Sequence, residues 1–156
     1  MVIQRWQSLL LFVAAVMMGC FAFMPIAQIN TTDLTYCFTS MGFSVEDEST
    51  SGIQQGLIGH TWYFFALSVM SVLLPLICIF LFKNLILQRR MCLISILFII
   101  ADLATGLTLA TNTFDNADIS WESIVISPII ALAAVILAYW RIGKDRNKLL
   151  AADRIR

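Results

Sequence analysis

The sequence predicts an all-α membrane protein, a bundle of four transmembrane helices with both termini on the cytoplasmic side. Hydrophobic residues make up 60% of the 156 and charged residues only 13%. With a mean hydropathy of +0.86, the chain is far more apolar than the roughly half-apolar make-up of soluble domains. Four apolar runs each approach the roughly 20 helical residues that cross hydrocarbon. Asp102 apart, charged residues are confined to the segments between and beyond those runs, and the sign alternates from one segment to the next.

The runs cover residues 8–27, 61–82, 92–111 and 124–140. None has the period-2 alternation of lipid-facing strands, so each is expected to satisfy its backbone hydrogen bonds within a helix. The first run contains Met17-Met18-Gly19-Cys20, which has the look of a lipoprotein cleavage box. Such a signal ends its apolar region at the box, whereas Phe21-Ala22-Phe23-Met24-Pro25-Ile26 continues it by about a turn and a half. Met17 also stands where leucine is preferred, and a retained helix is therefore expected, with Cys20 a small residue in a helix interface. In the second run Pro75 is expected to kink the helix by freeing a carbonyl one turn back.

Orientation follows from the basic residues. Arg5 precedes the first run, Lys83, Arg89 and Arg90 lie in 83–91, and Arg141, Lys144, Arg146, Lys148, Arg154 and Arg156 lie in 141–156. Segments 28–60 and 112–123 have none and instead hold Asp33, Glu46, Asp47, Glu48, Asp115, Asp118 and Glu122. By the positive-inside rule 83–91 is a cytoplasmic loop, 141–156 a cytoplasmic tail, and the two acidic segments are outer loops. Trp6, Trp62, Trp121 and Trp140 fall at run ends, where an indole keeps its ring in the interface and its N–H wet. The net charge of zero conceals this polarity.

Small residues recur at helical spacing: Ala15, Gly19 and Ala22 in the first run, Ser68, Ser71, Pro75 and Cys78 in the second, and Ser127, Ala131, Ala134 and Ala138 in the fourth. Such seams let helix backbones approach where hydrophobicity gives no drive between helices. In the first outer loop Leu34, Tyr36 and Phe38 alternate with polar residues, Met41-Gly42 can turn, and Phe43 and Val45 resume the alternation. A short β-hairpin over the bundle mouth is expected there, followed by a mobile acidic tip from Glu46 to Gly56.

Asp102 is the one ionisable group deep inside a run. A charge at that depth is costly, so its carboxyl should face protein or water and can be held in its neutral form. Ser95 and Thr105 are expected on its face, with Gly106 leaving room for a neighbouring helix. Two roles follow: a neutral Asp102 bonded to Ser68 or Ser71 and gluing helices together, which is favoured, or a proton or cation site used in transport. Arg89, Arg90, Arg141, Lys144, Arg146 and Lys148 are the expected contacts of anionic lipid, each gaining about 1 kcal/mol near such a surface.

Other chemistries lack their residues. Disulfide exchange needs an attacking and a resolving thiol in the outer loops, but Cys37 stands there alone, while Cys20, Cys78 and Cys92 read as small apolar residues. His60 is the single histidine, without a second ligand at a recognised spacing, so no metal and no cofactor is expected. No catalytic set, phosphate loop or nucleic-acid patch appears.

A resemblance adds to this reading. Ile3-Gln4-Arg5-Trp6-Gln7, Leu74-Pro75-Leu76, Ile79-Phe80-Leu81-Phe82-Lys83-Asn84 with Leu87-Gln88, then Pro128, Lys144-Asp145 and Asp153-Arg154-Ile155-Arg156 occur in an order and spacing that resembles an uncharacterised family of four-helix membrane proteins of Bacteroidetes. The likeness spans essentially the whole chain. It implies the fold, an inner-membrane location and a first helix kept in the mature protein, without a reaction. Leu85-Ile86 stands where that family often places more basic residues. The expected function is a non-enzymatic accessory or scaffold component, in contact with the lipid bilayer and with a membrane-protein partner or further copies of itself; the alternative is a small proton- or cation-coupled transporter using Asp102.

Overall fold

The computed structural model describes residues 2–31, 34–46, 59–82, 84–113 and 118–153, with side chains for these except 2–5, 46, 59, 60 and 146–153. Four helices dominate: α1 (Val2–Phe23), α2 (Trp62–Phe80), α3 (Leu85–Asn112) and α4 (Ser127–Asp153). Each contains a stretch long and apolar enough to cross a membrane. Every helix packs on the next in sequence and α4 closes on α1, giving a four-membered bundle. The segment 47–58, which holds most of the expected acidic tip, lies outside the described residues, as do Thr32, Asp33, Lys83, Asp115, Arg154 and Arg156.

The helices depart from the apolar runs at their ends, and the departures have local causes. The first run continues to Ala27, yet α1 stops at Phe23. Pro25 disfavours helical backbone at Met24, so the chain turns and Ala27 opens a strand. The segment 83–91, expected as a loop, is mostly helical, because α3 begins at Leu85 and carries Gln88, Arg89 and Arg90 in its first two turns. Only a tight turn around Asn84 separates α2 from α3, closed by Asn84 N–H to the Leu81 carbonyl at 3.0 Å. At the far end α4 runs well past Trp140, to Asp153.

The first connection forms more than a hairpin. Strands β1 (Ala27–Asn30), β2 (Thr35–Thr39), β3 (Gly42–Glu46), β4 (Gly59–His60) and β5 (Asp118–Trp121) make one antiparallel sheet in the order β4-β3-β2-β1-β5. β2 and β3 are the alternating segments, paired with Phe38 opposite Phe43 and Thr39 opposite Gly42. Gly42 has φ of 150°, a conformation that side chains rarely adopt, which is why the turn needs glycine there. β5 comes from the connection between α3 and α4 and pairs with β1, setting Ile119 opposite Ile29 and Trp121 opposite Ala27. Both long connections are thus tied into one lid at one end of the bundle.

Ser40 fastens that lid. Its hydroxyl donates to the Ala22 carbonyl, one of the last-turn carbonyls of α1 that lack an intrahelical partner, while its own carbonyl accepts from the Thr61 hydroxyl at 3.1 Å. Beneath it an aromatic cluster joins lid to bundle. Phe38 stacks on Phe43 at 4.7 Å and on Phe64 at 5.9 Å, and Phe64 meets Phe21 edge-on at 6.2 Å.

The small-residue faces pack inward: Ala15, Ala22, Ser68, Ser71, Pro75, Cys78, Ser127, Ala131, Ala134 and Ala138 are all buried. Gly19 and Gly106 differ in what they admit. A methyl at Gly19 would touch nothing within 4 Å, whereas at Gly106 it would lie 3.1 Å from Cζ of Phe64. Gly19→Ala is therefore expected to raise the stability of the detergent-solubilised chain by up to about 1 kcal/mol through helix propensity. Gly106→Ala should lower it by about 1–3 kcal/mol, since the ring must move. Equal thermal midpoints for the two variants would contradict the packing at Gly106.

Candidate functional site

The interface of α2 with α3 carries most of the buried polar groups. Along α3 the buried positions are Gln88, Cys92, Ser95, Ile99, Asp102, Gly106 and Ala110, a seam spaced by threes and fours. Asp102 is fully buried on it, ten residues before the end of the helix. Ser68, also fully buried, donates its hydroxyl to Asp102 Oδ1 at 2.8 Å. Ser71, one turn along α2, donates instead to the Leu67 carbonyl of its own helix at 3.1 Å. Of the two serines expected to reach Asp102, the structure selects Ser68.

Ser95 lies two turns from Asp102 on the same seam and is fully buried; its hydroxyl and Asp102 Oδ2 have no hydrogen-bond partner among the described residues. Thr105 lies elsewhere: three residues on from Asp102 places it about 100° from the centre of the seam. Its hydroxyl donates at 2.7 Å to the Ala101 carbonyl of its own helix. Thr111 and Thr113 do the same to Leu107 and Leu109, which hides hydroxyls from a surrounding apolar medium. The candidate set thus divides into Ser95 and Asp102 on the inner face and Thr105 beside it.

A second polar group sits at the bundle end away from the sheet. Arg89 Nη2 donates to the Tyr139 hydroxyl at 2.9 Å, with the guanidinium carbon 4.7 Å from that ring's centroid. Gln7, almost wholly buried, donates its amide to the Asp145 carboxylate and so joins α1 to α4. Gln88 donates at 3.1 Å to the carbonyl of Cys78, one of the last-turn carbonyls of α2 left without a helical partner. The Cys78 and Cys92 thiols face each other nearby across the same interface. Of the expected lipid contacts, Arg90, Arg141 and Lys144 are exposed, Arg89 is drawn against α4, and the side chains of Arg146 and Lys148 lie outside the described residues.

Sequence reasoning missed these cross-helix bonds because Gln7, Gln88 and Arg89 lie outside the apolar runs. One signal was available: Gln88, Cys92, Ser95 and Ile99 continue the spacing of the seam back through the supposed loop. Among the described residues, no group of three or more His, Cys, Asp or Glu side chains is placed to hold a metal ion.

Four spanning-length helices, a sheet at one end and polar bonds between helices define the class, a multi-pass membrane protein built as a helix bundle. The chain belongs to the family described as a domain of unknown function, DUF4293, whose family model matches residues 3–155. No curated protein matches it.

Proposed function

We propose that the chain is a non-enzymatic accessory or scaffold component of the bacterial inner membrane, with both termini cytoplasmic and the sheet on the outer side. The Ser68–Asp102 hydrogen bond carries this reading. It spends the deepest ionisable group of the spans on joining α2 to α3, which is what a structural bundle requires of a buried acid. The distribution of Lys and Arg, all of them in 83–91, in 141–156 or at Arg5, supports the orientation. The Bacteroidetes resemblance supports the location. The sheet unites both outer loops into a surface that a membrane-protein partner or a second copy can meet.

The test is isolation from native membranes in mild detergent, with co-purifying proteins and mass recorded. A stoichiometric partner is expected. Recovery of the chain alone would remove the accessory reading and shift weight to a second one, proton- or cation-coupled transport. That second reading has its own observation, since Asp102 Oδ2 and Ser95 Oγ are buried with no partner among the described residues. Under the scaffold reading Asp102→Asn retains wild-type function in cells, because an amide oxygen still accepts from Ser68; a transport-dead phenotype in a well-folded Asp102→Asn protein would decide for transport. Replacing Arg141, Lys144, Arg146, Lys148, Arg154 and Arg156 together by Gln is expected to produce mixed orientations in cysteine-accessibility mapping. A uniform, unchanged topology would show that the tail does not set it.

A further inference from the structure

A groove of about 530 Å³ lies on the α3 side of the bundle, near the sheet. One wall is the stripe Ile100, Leu103, Ala104 and Leu107 of α3, Phe21 and Gly106 form part of its floor, and Trp121 closes the end beside β5. Its size is that of a small-molecule site. Its lining suits no polar ligand, since the Trp121 indole N–H is the single side-chain hydrogen-bonding group among the lining residues. Ile100 and Leu107 are about half exposed and belong to the outward face of α3, so the groove opens sideways onto the surface that a bilayer would cover. Phe21, the α3 wall and Val125 all lie within spanning segments, which places the groove at hydrocarbon depth.

Charge narrows the occupant. Asp118 opens the strand that Trp121 ends, Glu122 follows Trp121 directly, and neither 28–60 nor 112–123 contains a Lys or Arg. An anionic headgroup would meet like charge there, while an ammonium would meet two carboxylates. We propose that the groove holds one acyl chain of an amine-bearing zwitterionic phospholipid, of which phosphatidylethanolamine is the simplest. The chain lies along Ile100, Leu103 and Leu107, the ester region sits beside the Trp121 indole, and the ammonium points to Asp118 and Glu122.

The full chain with Trp6, Trp62 and Trp140 replaced by Phe, reconstituted in phosphatidylcholine vesicles, reports on the site through Trp121 fluorescence. Phosphatidylethanolamine with brominated chains is expected to quench at about fivefold lower mole fraction than brominated phosphatidylglycerol, the ratio that about one interfacial charge contact gives. Ala104→Phe, which fills the groove from an exposed position, should abolish that difference, whereas Leu97→Phe, on the same helix outside the groove, should leave it intact. Asp118→Asn with Glu122→Gln should remove the headgroup preference while chain-dependent quenching persists. Equal quenching by the two lipids, a preference for phosphatidylglycerol, or quenching unaffected by Ala104→Phe would overturn the proposal. Self-association that shields Trp121 from both lipids would do so too, since a second copy would then fill the groove.

Discussion

Phe64→Ala is expected to be the most destabilising single substitution in the chain, lowering unfolding free energy by about 3 kcal/mol. The ring lies on α2 but touches three other parts of the molecule. It stacks on Phe38 of β2 at 5.9 Å, meets Phe21 of α1 edge-on at 6.2 Å, and occupies the space left by the missing side chain of Gly106 on α3. Burying Phe in soluble cores is worth about 3–5 kcal/mol by truncation to Ala, part of it transfer from water and part the cavity left behind. For a residue held wholly in lipid the transfer part would vanish. Phe64 sits in the first turn of α2, under a sheet whose rings would be exposed to water on unfolding, so part of it survives and the lower end of the range applies. The measurement is reversible unfolding in mixed micelles, read by near-ultraviolet circular dichroism. Gly106→Ala combined with Phe64→Ala supplies a second check: the methyl no longer meets a ring, so the double variant should lose less than the sum of the singles. Additive losses would mean that Phe64 and Gly106 do not share one packed space.

Ser68→Ala is expected to cost about 1–2 kcal/mol, more than Asp102→Asn, although aspartate is the residue whose chemistry draws attention. The asymmetry arises from what each deletion leaves behind. Without Ser68, Asp102 keeps two buried oxygens and no donor, and an unsatisfied buried polar group costs about 1–3 kcal/mol. In Asp102→Asn the amide oxygen retains the acceptor, and even an apolar replacement leaves Ser68 able to donate to a carbonyl of its own helix, as Ser71 already does. Interhelical hydrogen bonds between membrane helices are worth about 0.6–1.7 kcal/mol, which caps the coupling. Ser68→Ala should thus lower the unfolding midpoint clearly, Asp102→Asn by less than about 0.5 kcal/mol, and Ser68→Ala with Asp102→Leu should recover part of the loss, because both polar partners are then gone. A neutral Ser68→Ala would sever the link between this bond and bundle stability.

Membrane class, helix number and the segregation of charge were legible because each depends on local composition. A run of about 20 apolar residues is a spanning candidate whatever surrounds it, and the small faces of α2 and α4 could be read from periodicity because residues three and four apart share a helix face. The same logic found the alternating segments that became β2 and β3, since a strand's two faces are written two residues apart. The Asp102 partner was legible to within two serines. Periodicity puts Ser68 and Ser71 on one face, but the relative height of α2 and α3 chooses between them, and no residue encodes that height alone.

The tertiary structure alone decided where distant segments meet. β5 is a four-residue segment with little signal of its own, and it becomes a strand because β1 offers it an edge across nearly ninety residues of chain. Arg89 reads as a lipid-facing cation until α4 presents Tyr139, and nothing in the sequence pairs Gln7 with Asp145 until α1 and α4 pack together. The groove under Trp121 exists because β5 pairs with β1 there and Gly106 leaves the floor open. Sequence determines what a segment can bury or span, since that depends on its own side chains, whereas the partner of a polar group depends on the positions of two segments at once, which only the packed bundle fixes.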